Sequence, residues 1–456
     1  MPNTFPLITR ELDDPIAYLT TPISSTGLAA GKVDTRTFLC HVNAVAEQLP
    51  QGHFAINLCE NRYLFMVSFC AVILRGQTNL LPPNKNIATQ QQLLQDYHDG
   101  YIVHDGIAIT EASSSFNIID VKMPPAQKGL SDVPDISNDH LACISFTSGS
   151  TGHSKPNLKY WRTLHASTAI NYAFMLNAPE QTLFQLATVP AQHMWGLETS
   201  VLMPMFTNVC VCDAKPLFPQ DIIETLERLP LPRMLVSTPI HLRALTAVVQ
   251  VTPLKLVLCA TSPLTAALAR EMEQKFSTTL KEVYGCSEVG SMAVRRTAVE
   301  EKWRRFDGIR FSEESEGTVA SADHLPLPTV LQDFIHVIDP QHFTLAGRAT
   351  DLIKIAGKRG SLFEINQTLL GFKGLNDGVV IFPDSNKAVP RLCAIVSLKP
   401  GITKSALLDY LRLHLDSAFI PRPVYLVETL PREHNGKLLK VKIDALLESL
   451  RVVKSS

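Results

Sequence analysis

Between residues 37 and 276, short apolar runs of strand length alternate with longer stretches of helical pattern. Residues 54–58 (Phe-Ala-Ile-Asn-Leu) read as a buried strand and 63–75 as the helix after it. Gly76 follows, where a helix C-terminus favours glycine. The same reading gives strands at 141–146, 183–189, 234–237 and 254–259, and helices at 159–171, 221–229, 240–249 and 264–276. Few architectures accept this alternation. Parallel strands need long crossovers and helices supply them, so the expected fold class is α/β with a parallel sheet. Such sheets bind ligands at loops beyond the carboxyl ends of their strands.

The texture changes after about residue 295. Short strands with turns follow at 317–320 and 333–339, then a hydrophilic break at 346–351. Beyond it, strands at 378–382 and 392–398 and a helix at 404–415 can form a small α+β domain. The expected division is 1–347 and 348–456, with the junction near Arg348 to Asp351. A chain of 456 residues with 45% apolar and 19% charged residues has material for more than one core.

Charge and composition exclude several function classes. The net charge is −1 with no block of like charge, so no nucleic-acid footprint is expected. The apolar run 65–74 is too short for a membrane span and reads as a buried helix. Residues 1–10 lack the pattern of a signal peptide. The nine cysteines are odd in number, scattered and without a Cys-x-x-Cys pair. Buried free thiols in a reducing compartment are the expectation, hence a cytoplasmic location. Cys210 and Cys212 share one strand face, which more often means packing than ligation.

The segment with most chemistry is Ser145-Phe-Thr-Ser-Gly-Ser-Thr-Gly-His-Ser-Lys-Pro156, which follows a strand. Hydroxyls and glycines crowd Thr147 to Gly152, and Lys155 adds a positive charge. Glycines let backbone amides approach an anion, so the segment suits a polyphosphate. An ordinary serine-rich loop would have the same composition. A Walker A loop would not: from Gly149, Ser154 replaces the second glycine and Pro156 stands where the magnesium hydroxyl belongs.

This loop resembles the phosphate loop of the adenylate-forming (AMP-binding) superfamily, which includes acyl-CoA synthetases, aryl-CoA ligases, luciferases and peptide-synthetase adenylation domains. Ser154 and Pro156 depart from the usual pattern, but the hydroxyl–glycine core is intact. Further motifs of the family follow in order. Pro190-Ala-Gln-His-Met-Trp-Gly196 is similar to its histidine-containing strand end, and Tyr284-Gly-Cys-Ser-Glu288 to its Tyr-Gly-x-Thr-Glu motif. Gly347-Arg348, Asp351-Leu-Ile-Lys354 and Gly357-Lys-Arg359 resemble its hinge region. Leu430-Pro-Arg-Glu-His-Asn-Gly-Lys437 resembles its C-terminal lysine loop.

The resemblance implies a large N-terminal domain of stacked mixed and parallel sheets with a trimmed β subdomain, and a small mobile C-terminal domain. It implies activation of a carboxylic acid by ATP and magnesium as an acyl-adenylate, then transfer to coenzyme A or a phosphopantetheine thiol. Thr147, Ser148, Gly149, Ser150, Thr151, Gly152 and Lys155 would hold the phosphates, with Thr151 also near the metal. Glu288 would bind magnesium, and a carboxylate is a suitable hard ligand. Ser287 would meet the α-phosphate, with Gly285 beside it. Tyr284 and Ala260, Thr261 and Ser262 would border adenine, although the last three depart from the family's Gly-Gly-Ala. Asp333 would take the ribose, in Leu331-Gln332-Asp333 where the family has Thr-Gly-Asp, with Arg348 as the second contact.

The catalytic set implied is Lys437, Glu288 and His193. Lys437 would bridge the substrate carboxylate and the α-phosphate as a compact point charge on an Asn-Gly-Lys turn. His193, Trp195, Gly196 and Cys286 would edge the acyl pocket, and Thr350 would occupy the hinge position. The partners implied are a small carboxylic acid and, by analogy with compact bacterial members, an acyl carrier protein in trans. Two alternatives stand beside this reading: an adenylating enzyme that only loads a carrier protein, and a silent protein that keeps the fold. Intact Glu288, Arg348 and Lys437 argue against the second.

Overall fold

The computed structural model describes residues 3–23, 29–106, 117–121, 132–147, 155–314, 317–348, 352–355, 358–382, 391–433, 436 and 438–452. Two large sheets carry the N-terminal part. One has six strands, in the order Lys155–Tyr160, Leu141–Thr147, Thr78–Leu81, Phe54–Asn57, Gly100–His104 and Ile118–Asp120. All its neighbours are parallel except the first pair, an antiparallel hairpin.

The second sheet has eleven strands. Its middle is parallel: Thr279–Cys286, Leu256–Cys259, Arg233–Ser237, Leu183–Ala187, Val209–Cys212 and Pro15–Leu19. Antiparallel strands finish both ends, Gly31–Asp34 on one and Gly290–Arg295, Trp303–Arg305, His342–Arg348 and Asp333–Val337 on the other. The fold is thus mixed α/β with stacked sheets, as the alternation and the resemblance imply.

Helices Thr35–Gln48 and Arg62–Leu74 share the largest apolar core with Trp161 and Leu164. Arg62–Leu74 is buried along nearly its whole length, so it needs no polar face. It contains the apolar run 65–74, and it starts where Asn61 accepts from the Leu64 amide at 3.1 Å. It ends at Gly76, whose φ of +70° few other residues adopt. No helix among the described residues is long and apolar enough to cross a membrane. The nine cysteines are all free thiols, and seven are buried.

One local reading needs correction. The helix expected at 159–171 starts at Trp161, and Lys155–Tyr160 is a strand. Pro156 disfavours helix for the residue before it. The strand's alternation is inverted, with Asn157 and Lys159 buried and Leu158 45% exposed, so its period escapes an apolar-in pattern.

Past Arg348 the chain leaves the large sheet. It forms a two-stranded hairpin, Leu352–Ile355 with Lys358–Ser361, and a three-stranded sheet of Leu375–Ile381, Cys393–Leu398 and Val424–Leu426. Helices Leu362–Leu370, Lys404–His414 and Lys440–Val452 complete this part. Its apolar residues form clusters of their own.

Candidate functional site

The candidate residues gather where the carboxyl ends of the central parallel strands face the edge of the six-stranded sheet. Thr147 and Lys155 are cross-strand partners, so the phosphate-loop segment between them closes a hairpin. Ser148, Gly149, Ser150, Thr151 and Gly152 lie outside the described residues, as do Thr350 and Lys437 and the side chains of Thr147 and Arg348.

Beyond Leu256–Cys259 come Ala260, Thr261 and Ser262. The Ala260 amide donates to the Ser237 carbonyl at 3.3 Å, joining two strand ends. Thr261 has φ +84°, a costly conformation for a β-branched residue, and its buried Oγ1 has no hydrogen-bond partner among the described residues. Such strain persists only where the surroundings impose it, and it clusters at ligand sites.

The next strand, Thr279–Cys286, delivers the second motif. A bulge falls between Tyr284 and Gly285. Only glycine fits at 285, since a Cβ there would lie 2.4 Å from the Gly290 carbonyl oxygen. Tyr284 packs against Trp303 and Phe343 at ring distances of 5.7 and 5.9 Å. Its hydroxyl donates to Asp333 Oδ2 at 3.0 Å. Asp333 in turn sits opposite Arg348 in the antiparallel register. Three residues distant in sequence thus converge, despite the altered Leu331-Gln332 before the aspartate.

Ser287, Glu288 and Val289 form the tight turn after the strand. Burial, reinforced by the nearby Glu288 charge, pushes the Cys286 thiol up to about 12, so this cysteine is no nucleophile at neutral pH. The turn is held from two sides that the sequence reading missed. Lys159 Nζ donates to the Glu288 carbonyl oxygen at 2.6 Å. Glu198 accepts from the Ser291 amide at 3.0 Å and from Ser291 Oγ at 2.6 Å. Both side chains are almost fully buried. Burial lowers the ammonium's pKa and raises the carboxyl's, while each charge opposes the other's shift. The signal for Lys159 was its two-residue spacing from Asn157; nothing local marked Glu198.

His193 caps the short helix Met194–Leu197. Gly196 is obligatory, because a Cβ would lie 1.9 Å from the Pro190 carbonyl oxygen. Trp195 is buried, and its Nε1 has no hydrogen-bond partner among the described residues.

The C-terminal part reaches the same region. Arg432 makes a paired contact with Asp377, 2.6 Å at each oxygen, and donates from Nη1 to the Gly436 carbonyl at 2.8 Å. Gly436 has φ +80°, and a Cβ there would stand 3.2 Å from both Thr238 Oγ1 and Ile240 Cγ2. Thr238 directly follows the strand Arg233–Ser237. Residue 436, next to Lys437, therefore lies against a strand end of the site. Arg243 adds a bond across the same junction, from Nη1 to the Leu375 carbonyl at 3.3 Å.

The residues present suit a nucleotide with a divalent cation. Gly285 gives bare backbone, Thr261 an unpaired buried hydroxyl, and Glu288 a single carboxylate on a turn. Magnesium characteristically takes one or two carboxylates and completes its shell with phosphate oxygens and water. No cluster of three or more metal-ligating side chains occurs among the described residues.

Comparison with known proteins agrees. The family model described as "AMP-binding enzyme" matches residues 50–312. A 4-coumarate–CoA ligase from Rhodobacter capsulatus is 28% identical over 226 residues, 49% of this chain and 56% of that protein. Gramicidin S synthase 2 from Brevibacillus brevis is 37% identical over 92 residues, 20% of this chain and 2% of that protein. The chain thus spans about half or less of these curated relatives' length. The crystal structure of the anthranilate CoA ligase AuaEII with anthranoyl-AMP superposes with TM-score 0.81 at 13% identity, covering 100% of this chain and 99% of that one. With its site motifs brought together at the strand ends and the family model matching more than half its length, the chain belongs to the AMP-binding enzyme family.

Proposed function

We propose that this protein activates a small carboxylic acid with ATP and passes the acyl group to the thiol of coenzyme A. In the first step a carboxylate oxygen bonds to the α-phosphorus. The bond from that phosphorus to the bridging oxygen of the β-phosphate breaks, and pyrophosphate leaves with the electron pair. In the second, the thiol sulfur attacks the acyl carbon, AMP leaves, and the thiol proton goes to solvent. The likeness to coumarate and anthranilate CoA ligases supports coenzyme A as acceptor.

The observation that carries this reading is Gly436 against Thr238. The C-terminal turn lies at the strand ends where Tyr284, Asp333 and Glu288 also lie. Lys437, the next residue, is the cation assigned to the attacking carboxylate and the α-phosphate. Such a charge acts where negative charge develops on phosphorus. Thr147 to Gly152 with Lys155 hold the polyphosphate. Glu288 and Thr151 hold magnesium, which when bound neutralises phosphate charge. Ser287 donates to the α-phosphate. Asp333 and Arg348 take the ribose, and Tyr284 and Ala260 to Ser262 border adenine.

His193, Trp195, Gly196 and Cys286 edge the acyl pocket. Residues 1–347 form the nucleotide- and acid-binding domain, and 348–456 the domain that delivers Lys437, turning near Thr350. The reducing cytoplasm suits nine free thiols.

The test is acid-dependent pyrophosphate release over aryl and short, medium and long aliphatic acids. At least one acid should give release that Lys437→Ala abolishes; full activity in that variant would overturn the assignment. Mass spectrometry of products formed with coenzyme A or with a holo-carrier protein then fixes the acceptor, a carrier adduct alone favouring the loading enzyme.

A further inference from the structure

We propose that Lys159 and Glu198 are positioning residues: two buried side chains of opposite charge that clamp the turn carrying Glu288 and hold it against the strand that leaves the phosphate-loop segment. The proposal rests on the reading of Glu288 as the magnesium carboxylate.

The two halves of the nucleotide site come from different sheets. The phosphate-loop hairpin belongs to the six-stranded sheet, whose edge strand is Lys155–Tyr160. The Glu288 turn joins two strands of the eleven-stranded sheet. Backbone hydrogen bonds hold each part within its own sheet. Holding the parts against each other requires side chains that cross between the sheets.

Lys159 crosses. It lies four residues beyond Lys155 on the strand that leaves the phosphate loop, and its ammonium donates to the Glu288 carbonyl at 2.6 Å. A charged donor on a carbonyl is stronger than a neutral one and fixes backbone, not a mobile side chain. Glu198 holds the residue that follows the same turn. Its two oxygens take the amide and hydroxyl of Ser291, and Asn171 Nδ2 donates to Oε1 at 3.3 Å. Gly290 has φ +95°, and a Cβ there would come 2.6 Å from Glu198 Oε1, so the turn and the carboxylate fit without spare room.

Both side chains are about 2% exposed. The two are not in ion-pair contact, but each charge offsets part of the other's burial, so removing one destabilises the other, whereas neutralising both often does not. A purely structural pair could be replaced by neutral residues with no further consequence. A clamp could not, because the Glu288 carbonyl would lose its charged donor.

The experiment compares Lys159→Met, Glu198→Gln, their double variant and Glu288→Ala. The readouts are the thermal midpoint without ligand, and the magnesium concentration giving half of the ATP-induced midpoint shift. The single variants should lose thermal stability and the double variant should recover most of it. The double variant should still need about tenfold more magnesium, the effect of losing one charge-assisted hydrogen bond. A recovered midpoint with the parent's magnesium requirement would overturn the clamp. If the double variant does not fold, Glu198→Gln, which keeps size and shape, decides alone: its magnesium requirement should rise, and an unchanged one is equally fatal. Glu288→Ala separates the two ideas. If it leaves the magnesium requirement unchanged, the metal reading fails. If it raises the requirement and the pair variants do not, only the clamp fails.

Discussion

The Tyr284 hydroxyl donates to Asp333 Oδ2 at 3.0 Å, joining the strand that carries the Tyr-Gly-x-Ser-Glu motif to the edge strand of the same sheet. The bond orients the carboxylate. Asp333 also faces Arg348 in register. This end of the candidate site is therefore organised by cross-strand geometry.

Tyr284→Phe keeps the ring packed on Trp303 and Phe343 and removes the hydrogen bond to Asp333. It should raise the KM for ATP about 3- to 10-fold, the effect of losing roughly 1 kcal/mol of orientation. Asp333→Ala should raise it further. Steady-state pyrophosphate release at varied ATP measures both.

Gly436→Ala places a methyl 3.2 Å from Thr238 Oγ1 at a backbone φ of +80°. The conformational cost alone is about 1 kcal/mol, and the contact forces the turn away from the strand end. Adenylation kcat should fall at least about tenfold. ATP-induced thermal stabilisation should stay near that of the parent, since the phosphate and ribose residues are untouched.

Arg432→Lys keeps the charge and loses the paired geometry with Asp377, together with the bond to the Gly436 carbonyl. A lysine cannot reproduce a forked contact. Its adenylation kcat should fall several-fold, by about the 1 kcal/mol of an unmade bond. The C-terminal part should also melt earlier, which differential scanning calorimetry resolves.

His41 is fully buried, its Nδ1 is 2.7 Å from the Tyr63 hydroxyl, and its Nε2 has no partner among the described residues. Burial lowers its pKa below the ordinary 6.5. The unfolded chain therefore binds more protons than the folded one as pH falls through that value, and stability must fall with it. His140, His165 and His324 are shifted the same way by burial. Thermal midpoints taken from about pH 8 down to pH 5 should decline, and His41→Gln should flatten the decline.

The strands 54–58, 141–146, 234–237 and 254–259 were legible because buried parallel strands are continuous apolar runs bounded by helices. Lys155–Tyr160 was not, because Asn157 and Lys159 face inward and Leu158 outward. Periodicity reports apolar burial only. Tyr284 and Glu288 were visible in their motifs. The contacts around them were not, since Lys159 precedes Glu288 by 129 residues and Tyr284 precedes Asp333 by 49.

The sequence by itself determined the α/β class and the motifs that mark the AMP-binding family. It could do so because local pattern sets secondary structure, and phosphate and metal chemistry restrict which residue types serve. Only the tertiary structure decided how those residues meet. It set Asp333 on Tyr284, laid Gly436 against Thr238, and buried Lys159 and Glu198 on either side of the Glu288 turn. These contacts join distant strands of one sheet, the two large sheets, and the two parts of the chain, and no pattern within a single element encodes them.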